Sequence, residues 1–411
     1  MMTAIKNTQL KTVRGCNTAY LQKQVEQVTM FLGSRIPNCS KTGQTEQKQM
    51  TETPSGNLEP SASQPTDFER ITQIVSAEFQ VEEALLYEGV PTYYLKMPQE
   101  TKQAFLRLLM KLEEIKLTAF LRRKDTRVAL TILMKPPIKP SNPIIYWVLF
   151  IATIATTFIT GYMSFQDNAM NPILSGAIFS AAIMTVLGLH EMGHKLTANK
   201  RKVEATAPYF IPGPPPLGTL GAVIMQKSLP PNRDALFEIG ANGPIAGFLV
   251  ALVVSAIGLA LAVPTIMPPD ASTLAQPIAW RILIPILETL NLIPPVVPPF
   301  NGYALNPIVW AGWAGMLVTM LNLLPAAMLD GGHVARSLVP DKLRYVLTIA
   351  SVAILVLTGY VVFAFIVVFM SFMKHPGPLD DVSGVSDRRK LAAIALIVIF
   401  ILSFPIPTIA T

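Results

Sequence analysis

Cysteine is nearly absent and histidine is scarce: the 411 residues include 2 cysteines, Cys16 and Cys39, and 4 histidines. Two cysteines in a polar N-terminal stretch, far from any histidine, exclude a disulfide framework and a cysteine-rich zinc module. Charge is sparse too. Asp, Glu, Lys and Arg make up 14% of the chain against 51% hydrophobic residues, which excludes an ordinary soluble enzyme and an acidic disordered protein. The formal charge of +7 does not point to nucleic acid, because many lysines and arginines flank apolar runs, where membrane proteins place them. Acids are missing from the start of the chain, where Glu26 is the only one before Glu46. Residues 1–65 therefore read as a disordered polar tail, with an organelle transit peptide as the alternative. No apolar core comes after a charged start, which argues against a secretory signal.

Beyond the tail the chain is patterned. Helical spacing from Phe68 leads into strand-like runs over 79–87 and 91–97, then a helix over 99–116 with Phe105, Leu108, Leu109 and Leu112 on one stripe. Two further strands over 117–122 and 127–134 complete a small α+β domain, residues 66–135. A stiff, Pro-rich linker, 136–143, precedes a long apolar region, 144–411. Runs of spanning length cover 144–163, 173–197, 235–263, 305–327, 345–372 and 390–408, so the fold class is mainly α, a polytopic membrane helix bundle of about six spans. The run 345–372 would make a helix of about 42 Å against a bilayer core of about 30 Å, and so reads either as a tilted helix or as a hairpin bent near Gly359. Lys135 and Lys139 precede the first span and Lys195, Lys200, Arg201 and Lys202 come after the second, which places the N-terminal domain and that end of span two in the cytoplasm.

Two of the four histidines frame the chemistry, in the string His190-Glu191-Met192-Gly193-His194 within an apolar run. Imidazoles at i and i+4 share one helix face, so both reach one Zn²⁺ at about 2.0 to 2.1 Å, with Glu191 beside the open coordination position. Such groups are costly in hydrocarbon and must face protein or a water-filled cavity. A catalytic zinc needs a third protein ligand plus water. Asp330 is the best donor, since Pro325 ends a helix before it and Gly331-Gly332 allow the chain to bend the carboxylate inward; the alternative is an N-cap for the helix beginning near His333. One catalytic zinc per chain is expected, with Glu191 as general base and a side-chain amide, Asn322 first and Asn242 second, as donor to the oxyanion. For either asparagine the alternative is a helix-to-helix hydrogen bond. His333 reads as a support or cap for the ligands, and His375, near Asp380 and Asp381, as a structural loop histidine.

The pairing of His190-Glu191-x-x-His194 with Asn322-x-x-Pro325-x-x-x-x-Asp330-Gly331 resembles the site-2 protease family of intramembrane zinc metalloproteases. Pro208 to Pro212, Leu217 to Ala222, Gly240 to Pro244 and Trp313 to Thr319 extend the likeness across 144–410, toward the archaeal, cyanobacterial and plastid branch. The resemblance implies His190, His194 and Asp330 as zinc ligands and Glu191 as base, in agreement with the chemistry. It further implies membrane-spanning protein substrates, shortened first by an upstream protease and then cut to release signals, in the cell membrane of a prokaryote or a plastid membrane. One departure stands out: where the branch often has Gly-Gln before Leu-Asp-Gly-Gly-His, this chain has Ala327-Met328. The segment 203–225 is proline-rich and ends in a strand-like run, 218–224, whose edge is suited to pair with an unwound substrate. Two other readings predict different features. A non-catalytic zinc-binding scaffold or chaperone would have no need of the intact Glu191, and a solute transporter would show internal repeats of its spans, which the sequence lacks.

Overall fold

The computed structural model describes residues 64–87, 89–138, 140–166, 170–266, 275–373 and 375–406, so the expected polar tail with Cys16 and Cys39 lies outside the described residues. The chain forms two compact units, residues 1–137 with Leu379–Ser383, and Ile138–Pro378 with 384–411.

The first unit holds α1 (Gln64–Ser76), β1 (Val81–Tyr87), β2 (Val90–Leu95), α2 (Lys102–Glu113), β3 (Leu117–Lys124) and β4 (Arg127–Met134). Its antiparallel sheet runs β1-β2-β4-β3, so two α-β-β halves meet where β2 pairs with β4. The expected α2 stripe is the reason the sheet closes: Phe105, Leu108 and Leu112 are fully buried with Tyr93, Leu121 and Leu130. Each such side chain contributes roughly 1.5 to 3 kcal/mol by leaving water. A segment without any local signal in the sequence joins this unit. Leu121 N–H donates to the Leu379 carbonyl (2.9 Å) and Asp381 N–H to the Leu121 carbonyl (3.1 Å), so Leu379–Ser383 lies along the outer edge of β3.

In the second unit, α3 (Pro143–Ser164), α4 (Pro172–Lys200) and α5 (Arg233–Ala260) are the three described helices long and apolar enough to cross a membrane. A hairpin of β5 (Tyr209–Pro212) and β6 (Thr219–Val223) joins α4 to α5. The remaining helices are α6 (Ile278–Thr289), α7 (Pro307–Leu323), α8 (Asp330–Leu338), α9 (Asp341–Leu357), α10 (Val361–Ser371) and α11 (Asp387–Ser403). One starting device recurs. Asn142, Asn171 and Asn306 each precede a proline and accept the N–H two residues on, so asparagine N-caps and N1 prolines begin α3, α4 and α7. The outward faces are apolar: Ile144, Trp147, Val148 and Ile151 on α3 and Leu391, Ile394 and Ile401 on α11 are exposed. Such a surface belongs against lipid, and the protein is an integral membrane protein.

The run expected at 345–372 is two helices. Gly359 (φ 85°) sits between them, with its N–H on the Val356 carbonyl and the Tyr360 N–H on the Leu355 carbonyl, the pair of bonds that closes a helix with a left-handed residue. Of the two expected alternatives the structure has the bend. It also has a helix with no counterpart among the expected spans, α6, whose 12 residues include Pro285.

Candidate metal centre

The site forms where α4, α5 and α8 touch. On α4 the residues His190, Glu191 and His194 are 3%, 5% and 8% exposed, so the histidine–glutamate string faces protein and not lipid. The chain must then supply space for two imidazoles between helices. Glycines on α5 do this: a methyl on Gly243 would overlap His194 Nε2, and one on Gly247 would stand 2.5 Å from His190 Nδ1, well inside contact distance. Gly193 on α4 likewise packs on the Asn242 backbone. The two helices approach closely because these positions carry no side chain.

Asp330 comes from the other side. Leu323 ends α7 because Pro325 lies two residues on, and Leu324, restricted by that proline, adopts an extended conformation (φ −56°, ψ 130°). The chain then turns through Ala327 into α8, whose first residue is Asp330. The turn places Asp330 Oδ2 3.1 Å from His190 Nε2 and 3.2 Å from His194 Nε2, and the two Nε2 atoms are 3.2 Å apart.

This triangle fits a metal. Three ligands at about 2.0 to 2.1 Å from a tetrahedral zinc lie about 3.3 Å from one another, close to the separations found. The tautomers point the same way. His194 Nδ1 lies 2.6 Å from the Ile239 carbonyl, which can only accept, so Nδ1 carries a proton and Nε2 is the nitrogen left to bind a metal. The ligand atoms of His190, Glu191 and His194 also fall within 4.8 Å of one another, with Glu191 placed beside the three donors.

A cavity of about 150 Å³ opens onto the centre, lined by Glu191, His194, Asp330, Asn322, His333 and Met328 among others. Ala222 and Val223 of β6 border it, which brings the expected strand beside the ligands. The two asparagines part company. Asn322 lines the cavity, whereas Asn242 Nδ2 donates to Thr197 Oγ1 (2.7 Å), a bond between α5 and α4 one turn beyond His194. His333 Nδ1 lies 2.7 Å from His375 Nε2, so all four histidines of the chain belong to this site or touch it. Sequence reasoning missed Gly243, Gly247 and the His333–His375 pair. The glycine spacing of one helical turn was a usable signal for a close helix seam, but nothing local tied it to a histidine.

The departure at 327–328 falls in this loop. Ala327 has φ 46°, a left-handed conformation that favours glycine, and Met328 puts a thioether on the cavity wall where the branch often has an amide.

Comparison with known proteins agrees with this geometry. The model of peptidase family M50 matches residues 178–367, which contain both histidines, Glu191 and Asp330. The chain is similar to the probable zinc metalloprotease EGY2, chloroplastic, of Arabidopsis thaliana, at 33% identity over 56% of this chain and 40% of that protein. It is also similar to the probable zinc metalloprotease EGY1, chloroplastic, of the same plant, at 28% identity over 69% of this chain and 58% of that one. A third relative, the probable zinc metallopeptidase EGY3, chloroplastic, also of Arabidopsis thaliana, is 24% identical over 63% of this chain and 49% of its own length. The chain thus spans about half the length of these relatives. No solved structure matches.

Proposed function

We propose, from the match of the peptidase family M50 model to residues 178–367, which hold the whole metal centre, that this protein is a zinc metalloendopeptidase of the site-2 protease type that hydrolyses peptide bonds within or near membrane-spanning segments of other proteins. The observation that carries this reading is the convergence of His190 Nε2, His194 Nε2 and Asp330 Oδ2 to within 3.2 Å of one another, with Glu191 alongside. His190, His194 and Asp330 would hold a zinc ion, which would lower the pKa of bound water toward about 7 and polarise a carbonyl. Glu191 receives the water proton and returns it to the leaving amine. Asn322, which lines the cavity, is the amide that would donate to the carbonyl oxygen as that oxygen gains charge. Asn242 is engaged with Thr197 and serves the helix seam instead.

Substrate enters as helix and must be cut as extended chain. The β6 edge beside Glu191 offers main-chain partners for an unwound segment, which supports membrane-spanning proteins as the substrate class. Regulated release of fragments after a first cut by another protease fits a site within the membrane. The chloroplastic names of the relatives favour a plastid membrane over a prokaryotic cell membrane. The basic residues flanking α3 and α4 favour placing the N-terminal unit and the end of α4 on the same, cytoplasm-equivalent side.

The test uses the full chain in detergent, zinc counted per chain, and a model single-span substrate. Wild type should cleave with one zinc bound, and Glu191→Gln should keep zinc while losing cleavage. Equal cleavage by the two would remove the mechanism. Zinc without cleavage in either would turn the reading to a non-catalytic scaffold.

A further inference from the structure

His333 takes no part in the hydrolytic steps assigned to zinc, Glu191 and Asn322, yet it occupies the wall of the same cavity, on α8 one turn beyond Asp330 and so on the same helix face. Its surroundings fix its protons. The Gly377 N–H donates to His375 Nδ1 (3.0 Å), so that nitrogen holds a lone pair. His375 must then carry its proton on Nε2, which faces His333 Nδ1 at 2.7 Å and donates to it. Nδ1 of His333 is therefore an acceptor, and its proton sits on Nε2. The relay starts from a backbone amide, which cannot reverse. Burial, with Arg336 and Arg344 nearby, holds His375 well below the ordinary histidine value, in keeping with a neutral donor.

We propose that His333 is a catalytic residue whose Nε2–H, fixed by the Gly377–His375 relay, donates a hydrogen bond to the scissile carbonyl oxygen as negative charge develops on it, with His375 as its positioning residue. The assignment rests on the metallopeptidase reading of the cavity. A neutral imidazole suits the task, since it places a donor next to a metal without adding a second positive charge and holds that donor in one tautomer. Preorganised donors of this kind act where charge appears in the transition state and need no rearrangement. His333 is also better anchored than an amide at the end of a flexible arm: its Cβ sits where a methyl on Gly240 would come within 2.9 Å, so ring and helix seam fix each other.

The experiment takes the full-length zinc-loaded protein in detergent and compares His333→Phe, His333→Gln, His375→Phe and Asn322→Ala, with Glu191→Gln as reference. His333→Phe should lower kcat about 100- to 1000-fold while KM and zinc per chain stay at wild-type values. His333→Gln, which restores a donor, should recover part of the loss. His375→Phe should lower kcat about tenfold with zinc retained, since the donor survives but its tautomer is no longer held. ¹⁵N spectra of histidine-labelled wild type should show two histidines protonated at Nε2, His333 and His375, and in His375→Phe the His375 signal should vanish while the His333 signal shifts, a reading independent of turnover. Wild-type kcat in His333→Phe, loss of zinc in that variant, a proton on His333 Nδ1, or a loss confined to Asn322→Ala would each overturn the assignment. Cleavage by Glu191→Gln would instead remove the metallopeptidase reading itself, so the two failures are distinct.

Discussion

Replacing Gly243 with alanine tests whether the zinc site depends on the absence of a single methyl group. A Cβ there falls on His194 Nε2, whereas non-bonded carbon and nitrogen normally keep about 3.5 Å, so the ring or the helix must move by more than about 1 Å. Neither can move cheaply. His194 Nδ1 is tied to the Ile239 carbonyl at 2.6 Å, which prevents the ring from turning away, and Asn242 Nδ2 donates to Thr197 Oγ1 (2.7 Å) across the seam, which resists separation of α4 and α5. Zinc ligands tolerate displacements of about 0.2 Å, so a shift of about 1 Å removes His194 from the ligand set. We expect Gly243→Ala to weaken zinc binding at least about 100-fold, more than the roughly 10- to 100-fold that disturbing a ligand's support costs, and to destabilise the fold by about 1 to 3 kcal/mol through overpacking. The matched control lies on α4 itself: a methyl on Gly188 meets nothing within 4 Å, so Gly188→Ala should leave zinc unchanged and gain up to about 1 kcal/mol from helix propensity. Zinc per chain after dialysis against a weak chelator, with thermal unfolding in parallel, measures both. Wild-type zinc and wild-type cleavage in Gly243→Ala would refute the steric argument.

Other perturbations separate the parts of the site. Asp330→Asn should abolish zinc binding without unfolding the chain, because the carboxylate is the only anion in the triangle; retained zinc would show a different third ligand. Ala327→Gly should stabilise the turn before Asp330 by about 1 kcal/mol, since alanine is strained at φ 46°, and an unchanged unfolding temperature would count against that strain. In the first unit, Phe105→Ala removes a fully buried ring and should cost about 3 to 5 kcal/mol, read as faster amide exchange in β2 and β4 of the full chain.

The parts of the site that were legible in the sequence are those in which chemistry dictates spacing along one helix or one turn. His190, Glu191 and His194 announce themselves because two imidazoles must share a face. Asp330 stands out because Pro325 and Gly331 mark a bend around a costly carboxylate. The α2 stripe and the strands of the first unit were equally local patterns. What stayed hidden depends on tertiary proximity. Gly243 and Gly247 are glycines because of rings on another helix, His375 finds His333 across 42 residues, and Leu379–Ser383 reaches β3 from the far end of the chain. The hairpin was half visible: its second strand falls within the strand-like run 218–224, while its first is only four residues long and ends in a proline, too short for periodicity to register.

Tertiary contacts also resolve a tension in the charge pattern. If 345–372 crossed the bilayer once, Arg388, Arg389 and Lys390 would face the side opposite Lys200, Arg201 and Lys202, against the preference of basic residues for one side. Arg389 instead donates to Glu238 (2.9 Å) and Asp234 (3.0 Å) at the start of α5, and Arg201, just past α4, pairs with the same Glu238. The beginnings of α5 and α11 and the end of α4 thus share one end of the second unit. Both ends of the bent pair also lie near the centre: Asp341 starts α9 next to Arg336 of α8, and Met370 of α10 lines the cavity with Glu191. The bend at Gly359 returns the chain to the level it left. With Cys16 and Cys39 changed to serine, single cysteines at Lys202 and Ser386 should react with a membrane-impermeant thiol reagent from the same side of sealed vesicles. Arg389→Met should cost about 1 to 3 kcal/mol of stability, less than a fully buried pair because Arg389 remains about a fifth exposed. Labelling of the two cysteines from opposite sides would require α9 and α10 to cross as one span, and the shared charged cluster could not then exist.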